Sequence, residues 1–275
     1  MTYQLHLGDC IEGMREMEGR SVDVSINDPP YEGEAHTKGR RICYGSFKER
    51  RSGNDTTRSK VISYAPITEA ERREAGAQLA RVVKRWILVF CQVEAAMLWR
   101  AALEAGGAQY IRTGSWHKTD AQPQLTGDRP GQGWEAVVIC HGARRSGVRL
   151  EWNGGGHCAK WDGPPATWKG PSRDHGGDLS ATKLVDGQKP EWLIEDLILK
   201  FSNPGDIVLD GYCGGGTTAV CALRNDRSFI GFERLPNHRE MAIARIENSL
   251  RQGRLLSAAV LQPKQLTLSS DLDLP

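Results

Sequence analysis

Apolar and polar positions alternate in short runs along the chain, and between these runs apolar positions recur at helical spacing. The alternating or continuous apolar runs predict strands at 3–10, 21–26, 86–90, 110–113, 135–140, 206–210 and 228–233. The helical spacing predicts helices at 11–17, 68–84, 93–104, 191–201, 217–225 and from 236 onward. Thr68 and Glu71 form a capping-box pattern at the start of the second helix. This order is typical of an α/β fold with a mostly parallel sheet and helices on both faces.

Three segments depart from that order in what we interpret as a single domain over 1–275. Between Lys38 and Lys60 the chain carries eight basic and two acidic residues without a sustained apolar period, which predicts a mobile basic loop at 33–63. Residues 142–181 contain three tryptophans and many glycines but no helix or strand period, so we interpret them as an insertion. The tail at 254–275 is polar with scattered leucines, and we expect it to hang loose or to dock late.

The composition restricts the class of protein. With 39% hydrophobic and 25% charged residues the chain can bury a core, and no stretch approaches the roughly 20 apolar residues of a membrane helix. The seven cysteines form no CxxC pair, and His157, Cys158 and His175 fit no common zinc spacing. The start of the chain lacks the features of a signal peptide. We therefore expect a cytoplasmic protein with no disulfide framework, no metal site and no membrane contact.

A glycine-rich turn at 211–216 connects a predicted strand directly to a helix. Such a junction presents free backbone N–H groups to a ligand. Glu233 ends the next strand, 18 residues after Gly215, where a carboxylate can accept hydrogen bonds from ribose hydroxyls. The spacing is not GxGxxG and there is no Walker lysine, so a dinucleotide or a nucleoside triphosphate is not favoured. The simpler alternative is an ordinary turn with an incidental glutamate.

Asp28, Pro29, Pro30 and Tyr31 follow the predicted strand at 21–26. Two prolines cannot continue a strand ladder, so Asp28 lies at the carboxyl end of a strand, where such sheets bind their ligands. Its carboxylate and the outward carbonyls can accept hydrogen bonds from a planar amine, while Tyr31 can stack on the ring that carries the amine. Taken alone, the segment is more simply a turn with a surface tyrosine. The glycine turn at the end of another strand of the same sheet favours a shared site.

With these two motifs the chain resembles the AdoMet-dependent amino-methyltransferases of DNA, and the motif order is similar to that of their β group. The family's catalytic motif, (D/N/S)PP(Y/F/W), corresponds to 28–31, and its cofactor motif, DPFxGxGTT, corresponds to 210–218. Gly211 and Tyr212 stand where Pro and Phe are usual. Further matches are GDC at 8–10, WxK at 116–118 and KP at 189–190. The resemblance implies a Rossmann-like AdoMet-dependent methyltransferase fold and S-adenosyl-L-methionine (AdoMet) as the cofactor.

The resemblance also implies roles for individual residues. Asp28 would face both the cofactor and the target amine, and Tyr31 would stack on a base flipped out of the duplex. Asp9 would accept a hydrogen bond from the adenine amine of AdoMet, and Glu233 would bind the ribose hydroxyls. The implied catalytic residues are Asp28, Pro29, Pro30 and Tyr31. The implied cofactor-binding residues are Asp9, Cys10, Asp28, Lys189, Pro190, Asp210, Cys213, Gly214, Gly216, Thr217 and Glu233.

Double-stranded DNA is the implied substrate. In such families, aspartate rather than serine at the head of the catalytic motif favours N6 of adenine over N4 of cytosine, so the resemblance implies adenine. The net charge is only +2, so we expect local basic patches to contact the phosphates, largely without reading the sequence. The candidates are Lys38, Arg40, Arg41, Arg50, Arg51, Lys118, Arg144 and Arg145.

The segment at 142–181 occupies the usual place of a target-recognition region. Its tryptophans fit a small local core as well as they fit contacts with bases. A recognition segment of about forty residues is short, which leaves a homodimer open, and a cognate restriction enzyme is also left open as a partner. An RNA methyltransferase and a non-catalytic DNA-binding relic are the alternative functions.

Overall fold

The structure, a computed structural model, describes residues 1–32, 65–119, 121, 130–142, 151–164 and 187–260. In this part of the chain eight strands form one sheet with the order β1-β8-β7-β2-β3-β5-β4-β6. Only β5 runs antiparallel to its neighbours. The strands are β1 (Tyr3–Leu7), β2 (Val22–Asn27), β3 (Val83–Cys91), β4 (Gln109–Lys118), β5 (Trp134–His141), β6 (Lys160–Gly163), β7 (Ile207–Asp210) and β8 (Ser228–Glu233). The predicted α/β class with a mostly parallel sheet is confirmed.

Six α-helices lie against this sheet in the described ranges. Asp9 caps the first helix by accepting hydrogen bonds from the N–H groups of Ile11 and Glu12. The predicted capping box of Thr68 and Glu71 is present at the start of the second. The helices are α1 (Cys10–Glu16), α2 (Glu69–Val82), α3 (Ala96–Ala105), α4 (Glu191–Phe201), α5 (Thr217–Arg224) and α6 (Pro236–Val260). None of these helices combines the length and apolarity needed to span a bilayer.

Strand β3 shows that the sheet is buried on both faces. Leu88 and Phe90 pack in a core with α4, α5 and α6, whereas Ile87 and Val89 pack in a second core with α1, α2 and α3. All four side chains are fully shielded from solvent. Side chains alternate between the two faces of a strand, so a strand covered on both faces needs the continuous apolar run seen here.

Two predicted boundaries are wrong near the middle of the sheet. The helix predicted to reach Lys84 ends at Val82, and β3 starts at the next residue. Consecutive valines favour an extended backbone, which accounts for the early change from helix to strand. Strand β4 continues to Lys118 instead of ending at Thr113, because it is paired with β5 on one edge and with β6 on the other.

The absence of a strand from the segment at 142–181 is also a wrong prediction. Strand β6 lies in this segment and extends the sheet beyond β4. Trp161, in β6, is buried, and the ring of Trp152 packs edge-on against Phe201 at a centroid distance of 4.7 Å. Two of the three tryptophans therefore serve the core, while Trp168 lies outside the described residues. A four-residue strand beside glycines and prolines carries too little periodicity to be detected.

The end of the chain departs from the prediction as well. Helix α6 extends to Val260, so residues 254–260 of the predicted loose tail are helical. Residues 261–275 lie outside the described part of the chain, as does the predicted basic loop at 33–63.

Candidate active site

The two sequence motifs meet at the carboxyl ends of β2 and β7, which are neighbouring parallel strands. Asn27, the last residue of β2, accepts a hydrogen bond through Oδ1 from the N–H of Gly211, at 3.0 Å. A Cβ atom on Gly211 would lie 3.3 Å from both Asn27 Oδ1 and the Cβ of Cys10. Glycine at this position therefore permits the close approach that joins the segment at 28–31 to the glycine turn.

The glycine turn is shaped by carboxylates on both sides. Asp210 Oδ1 accepts a hydrogen bond from the N–H of Tyr212 at 2.8 Å. Glu233 Oε2 accepts from the N–H of Gly214 at 2.8 Å, and its Oε1 accepts from the N–H of Leu235 at the same distance. Glu233 thus connects the end of β8 to the turn after β7 and fixes the start of α5.

Two residues of this turn have left-handed backbone conformations. Gly214 has a φ of 51° and Gly216 a φ of 78°, a region that residues with a Cβ atom rarely adopt. A Cβ on Gly216 would also lie 3.1 Å from the Cβ of Ala242 in α6. Glycine at 216 therefore lets the turn pack against α6 without displacing Ala242.

Asp210 is buried beside the turn. Burial raises the pKa of its carboxyl to about 7, although hydrogen bonds from Thr218 and Tyr212 lower that pKa in part. The negative charges of Asp28 and Glu233 add to the rise. A positively charged ligand nearby would favour the ionised form of Asp210. This part of the site therefore suits a cation.

Asp28 forms the opposite side of the site. Its Oδ2 lies 2.6 Å from Nζ of Lys189, which is itself buried. Its Oδ1 is also buried but makes no hydrogen bond within the described part of the chain. Burial raises the pKa of Asp28 to about 6, Glu135 adds to the rise, and Lys189 opposes it. An oxygen in this state is ready to accept a hydrogen bond from a ligand.

Glu135, at the start of β5, lies at the centre of a charged cluster. Its Oε2 accepts a hydrogen bond from the hydroxyl of Tyr31 at 2.7 Å and lies 3.3 Å from Nζ of Lys189. Its Oε1 lies 2.5 Å from Nζ of Lys118. Burial alone would raise the pKa of Glu135, but the two ammonium groups outweigh it and lower the pKa to about 2. Glu135 is therefore a carboxylate at every physiological pH.

Asp9 and Arg234 lie at the rim of the site. Asp9 Oδ1 accepts from the first turn of α1, and Oδ2 accepts from the guanidinium of Arg234, with Nε at 2.8 Å. Arg234 Nη2 also lies 3.5 Å from Glu71 Oε1 on α2. Burial would raise the pKa of Asp9, but these hydrogen bonds and the charge of Arg234 lower it. The Asp9 carboxylate therefore already has partners on both oxygens.

A cavity of about 350 Å³ joins the two sides. It is bordered by Pro30 as well as by most of the residues implied for cofactor binding, namely Cys10, Asp28, Lys189, Asp210, Cys213, Gly214, Thr217 and Glu233. The other candidates are not among the lining residues: Asp9, Pro29, Tyr31, Pro190 and Gly216. The structure thus brings the two motifs into one cavity, with Tyr31 directed toward Glu135.

Lys118 is the one described residue among the candidates for DNA contact, and its ammonium group is directed into the cluster. Its side chain is 14% exposed and bonded to Glu135. In the structure the partner of the Lys118 ammonium group is therefore a buried carboxylate, and this group does not face outward toward a phosphate. The other candidates lie outside the described residues: Lys38, Arg40, Arg41, Arg50, Arg51, Arg144 and Arg145.

Sequence reasoning missed three residues of the site. Asn27, Glu135 and Arg234 received no role, although each contacts a residue of a recognised motif. Glu135 had one detectable signal, since it is a carboxylate at the head of the apolar run 136–140. Asn27 had only its position as a signal, since it directly precedes Asp28 at the end of a strand in which apolar and polar residues alternate.

The fold and the site agree with the comparison to known families. The model of the N6_N4_Mtase family, described as DNA methylase, matches residues 22–244. The chain therefore belongs to the N6/N4 amino-methyltransferases of DNA, which depend on AdoMet and modify the amino group of adenine or cytosine. The earlier resemblance is thus confirmed at the level of the family.

Individual relatives and structures extend this match. The chain is 25% identical to Type II methyltransferase M.HinfI of Haemophilus influenzae over 268 residues, 94% of this chain and 72% of that protein. It is 45% identical to DNA adenine methyltransferase YhdJ of Escherichia coli strain K12 over 60 residues, 22% of this chain and 20% of that protein.

Two solved structures share the fold. The M1.HpyAVI–SAM complex has a TM-score of 0.59 and 19% identity, covering 89% of this chain and 100% of that one. The cytosine-N4-specific PvuII DNA methyltransferase has a TM-score of 0.63 and 14% identity, covering 94% and 93%.

The residues present fit AdoMet. The cavity volume lies in the usual range for small-molecule sites. AdoMet carries a sulfonium and an ammonium group, and the raised pKa of buried Asp210 is the sign of a carboxyl that a nearby cation would ionise. The left-handed glycines 214 and 216 keep side chains away from the turn that borders the cavity.

Proposed function

We propose that this protein methylates N6 of adenine in double-stranded DNA. The observation that supports this most directly is the carboxylate of Asp28: its side chain borders the same cavity as the glycine turn, and its buried Oδ1 makes no hydrogen bond to a described residue. An exocyclic amine placed against Asp28 would therefore share the cavity with a ligand at Asp210 and Glu233. This juxtaposition of an amine acceptor and a cofactor site is what direct methyl transfer requires.

The cofactor-binding half of the cavity is formed by β7, β8 and the turn between β7 and α5. In our proposal Glu233 binds the ribose hydroxyls, and Asp210 with the backbone at Cys213 and Gly214 holds the methionine portion. Cys10 and Thr217 complete the walls. When bound, AdoMet supplies an electrophilic methyl group.

The acceptor half performs the remaining chemistry. Asp28 Oδ1 accepts a hydrogen bond from the target amine, which increases the electron density on the nitrogen and fixes its direction. The nitrogen loses a proton when it is methylated, and Asp28, with its pKa near 6, is the nearest group able to receive it. Lys189 holds the other Asp28 oxygen in place. No covalent nucleophile is needed, and burial raises the pKa of the Cys10 thiol to about 12.

The target base has to leave the duplex before it can reach Asp28. An amine paired inside the double helix is inaccessible, and enzymes that modify bases pay a few kcal/mol to expose the nucleotide. Tyr31 provides the aromatic face for the exposed base, in our proposal, with its hydroxyl anchored on Glu135.

Two observations support adenine over cytosine. The catalytic segment begins with aspartate, and the local identity of 45% is to a protein named as a DNA adenine methyltransferase. The structural similarity to a cytosine-N4-specific enzyme makes N4-cytosine the second candidate.

The test is the transfer of labelled methyl from AdoMet to unmethylated genomic DNA, followed by digestion and mass analysis of the nucleosides. We expect N6-methyladenine with the wild-type protein and none with Asp28→Ala, although Asp28→Ala still binds AdoMet. N4-methylcytosine would overturn the choice of base. No product on DNA, together with methylation of RNA, would overturn the choice of nucleic acid, and DNA binding without AdoMet binding would indicate a relic.

A further inference from the structure

We propose that Glu135 is a positioning residue for the target base, acting through Tyr31 and Lys189. This inference rests on the proposed function, because it concerns the acceptor half of the same cavity. Glu135 is not among the residues that line that cavity, and its contacts with the acceptor half are those with Tyr31 and Lys189.

The first step of the argument is the origin of the groups that meet at Glu135. Tyr31 follows β2, Lys118 ends β4, and Lys189 immediately precedes Pro190 at the start of α4. Glu135 comes from β5, the antiparallel strand of the sheet. One carboxylate therefore connects segments that are far apart in sequence, including the Tyr31 pair at a separation of 104 residues.

The second step concerns Tyr31. Its hydroxyl donates to Glu135 Oε2 at 2.7 Å, and Nζ of Lys189 lies 3.4 Å from the same hydroxyl. Lys189 Nζ also lies 5.4 Å from the centre of the Tyr31 ring. A hydroxyl anchored by a buried carboxylate leaves the ring little freedom to rotate, so the face offered to the base has a fixed direction.

The third step concerns Lys189. Its ammonium group lies 2.6 Å from Asp28 Oδ2 and 3.3 Å from Glu135 Oε2, and its side chain is only 7% exposed. Glu135 thus draws the ammonium group to one side of Asp28. Asp28 Oδ1 is then left to the substrate, whereas an ammonium group with Asp28 as its sole partner could bridge both oxygens.

Four charged or titratable side chains act on Asp28. Lys189 and Lys118 are positively charged, Glu135 is negatively charged, and Asp210 is negatively charged when it is ionised. Tyr31 is neutral, because burial and the charge of Glu135 raise the pKa of its hydroxyl. Loss of the Glu135 charge therefore strengthens the hold of Lys189 on ionised Asp28 and lowers the pKa of Asp28.

The test compares Glu135→Gln with the wild-type enzyme at saturating AdoMet and unmethylated genomic DNA. We expect kcat to fall at least tenfold while the Kd for AdoMet changes less than twofold. We also expect the acid limb of the kcat profile to move to lower pH. A residue that merely supports the fold would lower AdoMet binding and kcat together and would leave the acid limb in place.

The control is Glu104→Gln. Glu104 is a carboxylate on α3 that pairs with Arg100 at 3.0 Å, is 42% exposed and is not among the residues that line the cavity. We expect this variant to behave as wild type. If both variants are indistinguishable from wild type, the proposal is overturned while the methyltransferase activity stands, whereas an inactive wild-type enzyme would overturn the proposed function itself.

A second variant removes the donor of the same hydrogen bond. Tyr31→Phe retains the ring and lacks only the hydroxyl that donates to Glu135. We expect a reduced kcat with unchanged AdoMet affinity, and a smaller effect of Glu135→Gln in the Tyr31→Phe background than in the wild type. If Glu135→Gln does not fold, an unchanged kcat in Tyr31→Phe overturns the proposal.

Discussion

Asn27 and Gly211 are joined by a hydrogen bond between the side chain of one and the backbone of the other, across two neighbouring strands of the sheet. Asn27 is almost completely buried, and its amide nitrogen donates to the carbonyl of Leu88 at 3.4 Å. A single polar side chain thus connects the segment at 28–31 to the glycine turn. The bond has consequences for both stability and cofactor binding.

Replacing Asn27 by Ala is expected to destabilise the protein by about 1–3 kcal/mol, because the Gly211 N–H is left buried without an acceptor. AdoMet affinity is expected to fall as well. Denaturant unfolding and calorimetric titration measure the two effects. Ser25→Ala is the matched control: Ser25 is buried on the same strand, and its hydroxyl makes no hydrogen bond to a described residue. Equal losses in the two variants would contradict the assignment.

The rate of methyl transfer is expected to depend on the ionisation of Asp28. Its pKa is raised to about 6, so the carboxylate form is lost as the pH falls through that value. We expect kcat/KM for DNA, measured at saturating AdoMet, to rise with pH from about 5 and to level off above about 7. In Asp28→Asn the limb is expected to vanish, since the amide does not titrate. A wild-type kcat/KM independent of pH over this interval would exclude the assignment.

Asp210 is expected to titrate in the same pH interval as Asp28, because burial raises its pKa to about 7. The ionisation of Asp210 concerns the cofactor half of the cavity, so it is expected to act on the Kd of AdoMet and not on kcat/KM for DNA at saturating AdoMet. Measuring the two quantities separately resolves the contributions of the two aspartates.

Glu233→Ala is expected to weaken AdoMet binding by about tenfold to a hundredfold, since hydrogen bonds to a charged group contribute about 1.5–3 kcal/mol each. Glu233 also accepts from the N–H groups of Gly214 and Leu235, so the shape of the turn depends on it. Glu240→Ala, an exposed carboxylate on α6, is the control and should bind AdoMet normally. Equal affinities in the two variants would remove Glu233 from the cofactor site.

Gly216→Ala tests the backbone of the turn. A left-handed conformation costs a residue with a Cβ about 1–2 kcal/mol, and at 216 the new atom would also lie 3.1 Å from Ala242 Cβ. Gly205→Ala has a similar φ of 89° but open space around the new Cβ. Thermal unfolding should therefore show a larger loss for Gly216→Ala. A loss of stability no larger than that of Gly205→Ala would mean that α6 shifts to accommodate the new methyl group at little cost.

The sequence contained much of the site because its motifs are local. Asp28 follows its strand directly, and Glu233 ends a strand one helix beyond the glycine turn, so their placement follows from the order of elements alone. The part that escaped prediction depends on distant partners. Lys118 looked like a surface cation next to Trp116, and only the register of β4 against β5, which pairs Trp116 with Glu135, brings the Lys118 ammonium group within reach of that carboxylate.

The fold shows the same division. The alternating helices and strands were predictable, since each carries its own period, whereas β6 is too short to carry one. It exists because the free edge of β4 supplies backbone partners, over residues 115–118. Such an edge is a property of the assembled sheet, and no local window of residues contains it.

DNA binding and methyl transfer should respond differently to ionic strength, because the charges of the cluster around Glu135 are balanced and buried. The ammonium groups of Lys118 and Lys189 balance the carboxylates of Glu135 and Asp28. Lys118, Lys189 and Glu135 are each at most 14% exposed. Mobile ions screen exposed charges over about 8 Å at physiological salt, but buried pairs much less. Added salt should therefore raise the KM for DNA, which depends on phosphate contacts, while kcat at saturating DNA stays nearly constant. Recognition is then an exchange of ions with the solvent, whereas catalysis depends on charges that mobile ions screen only weakly.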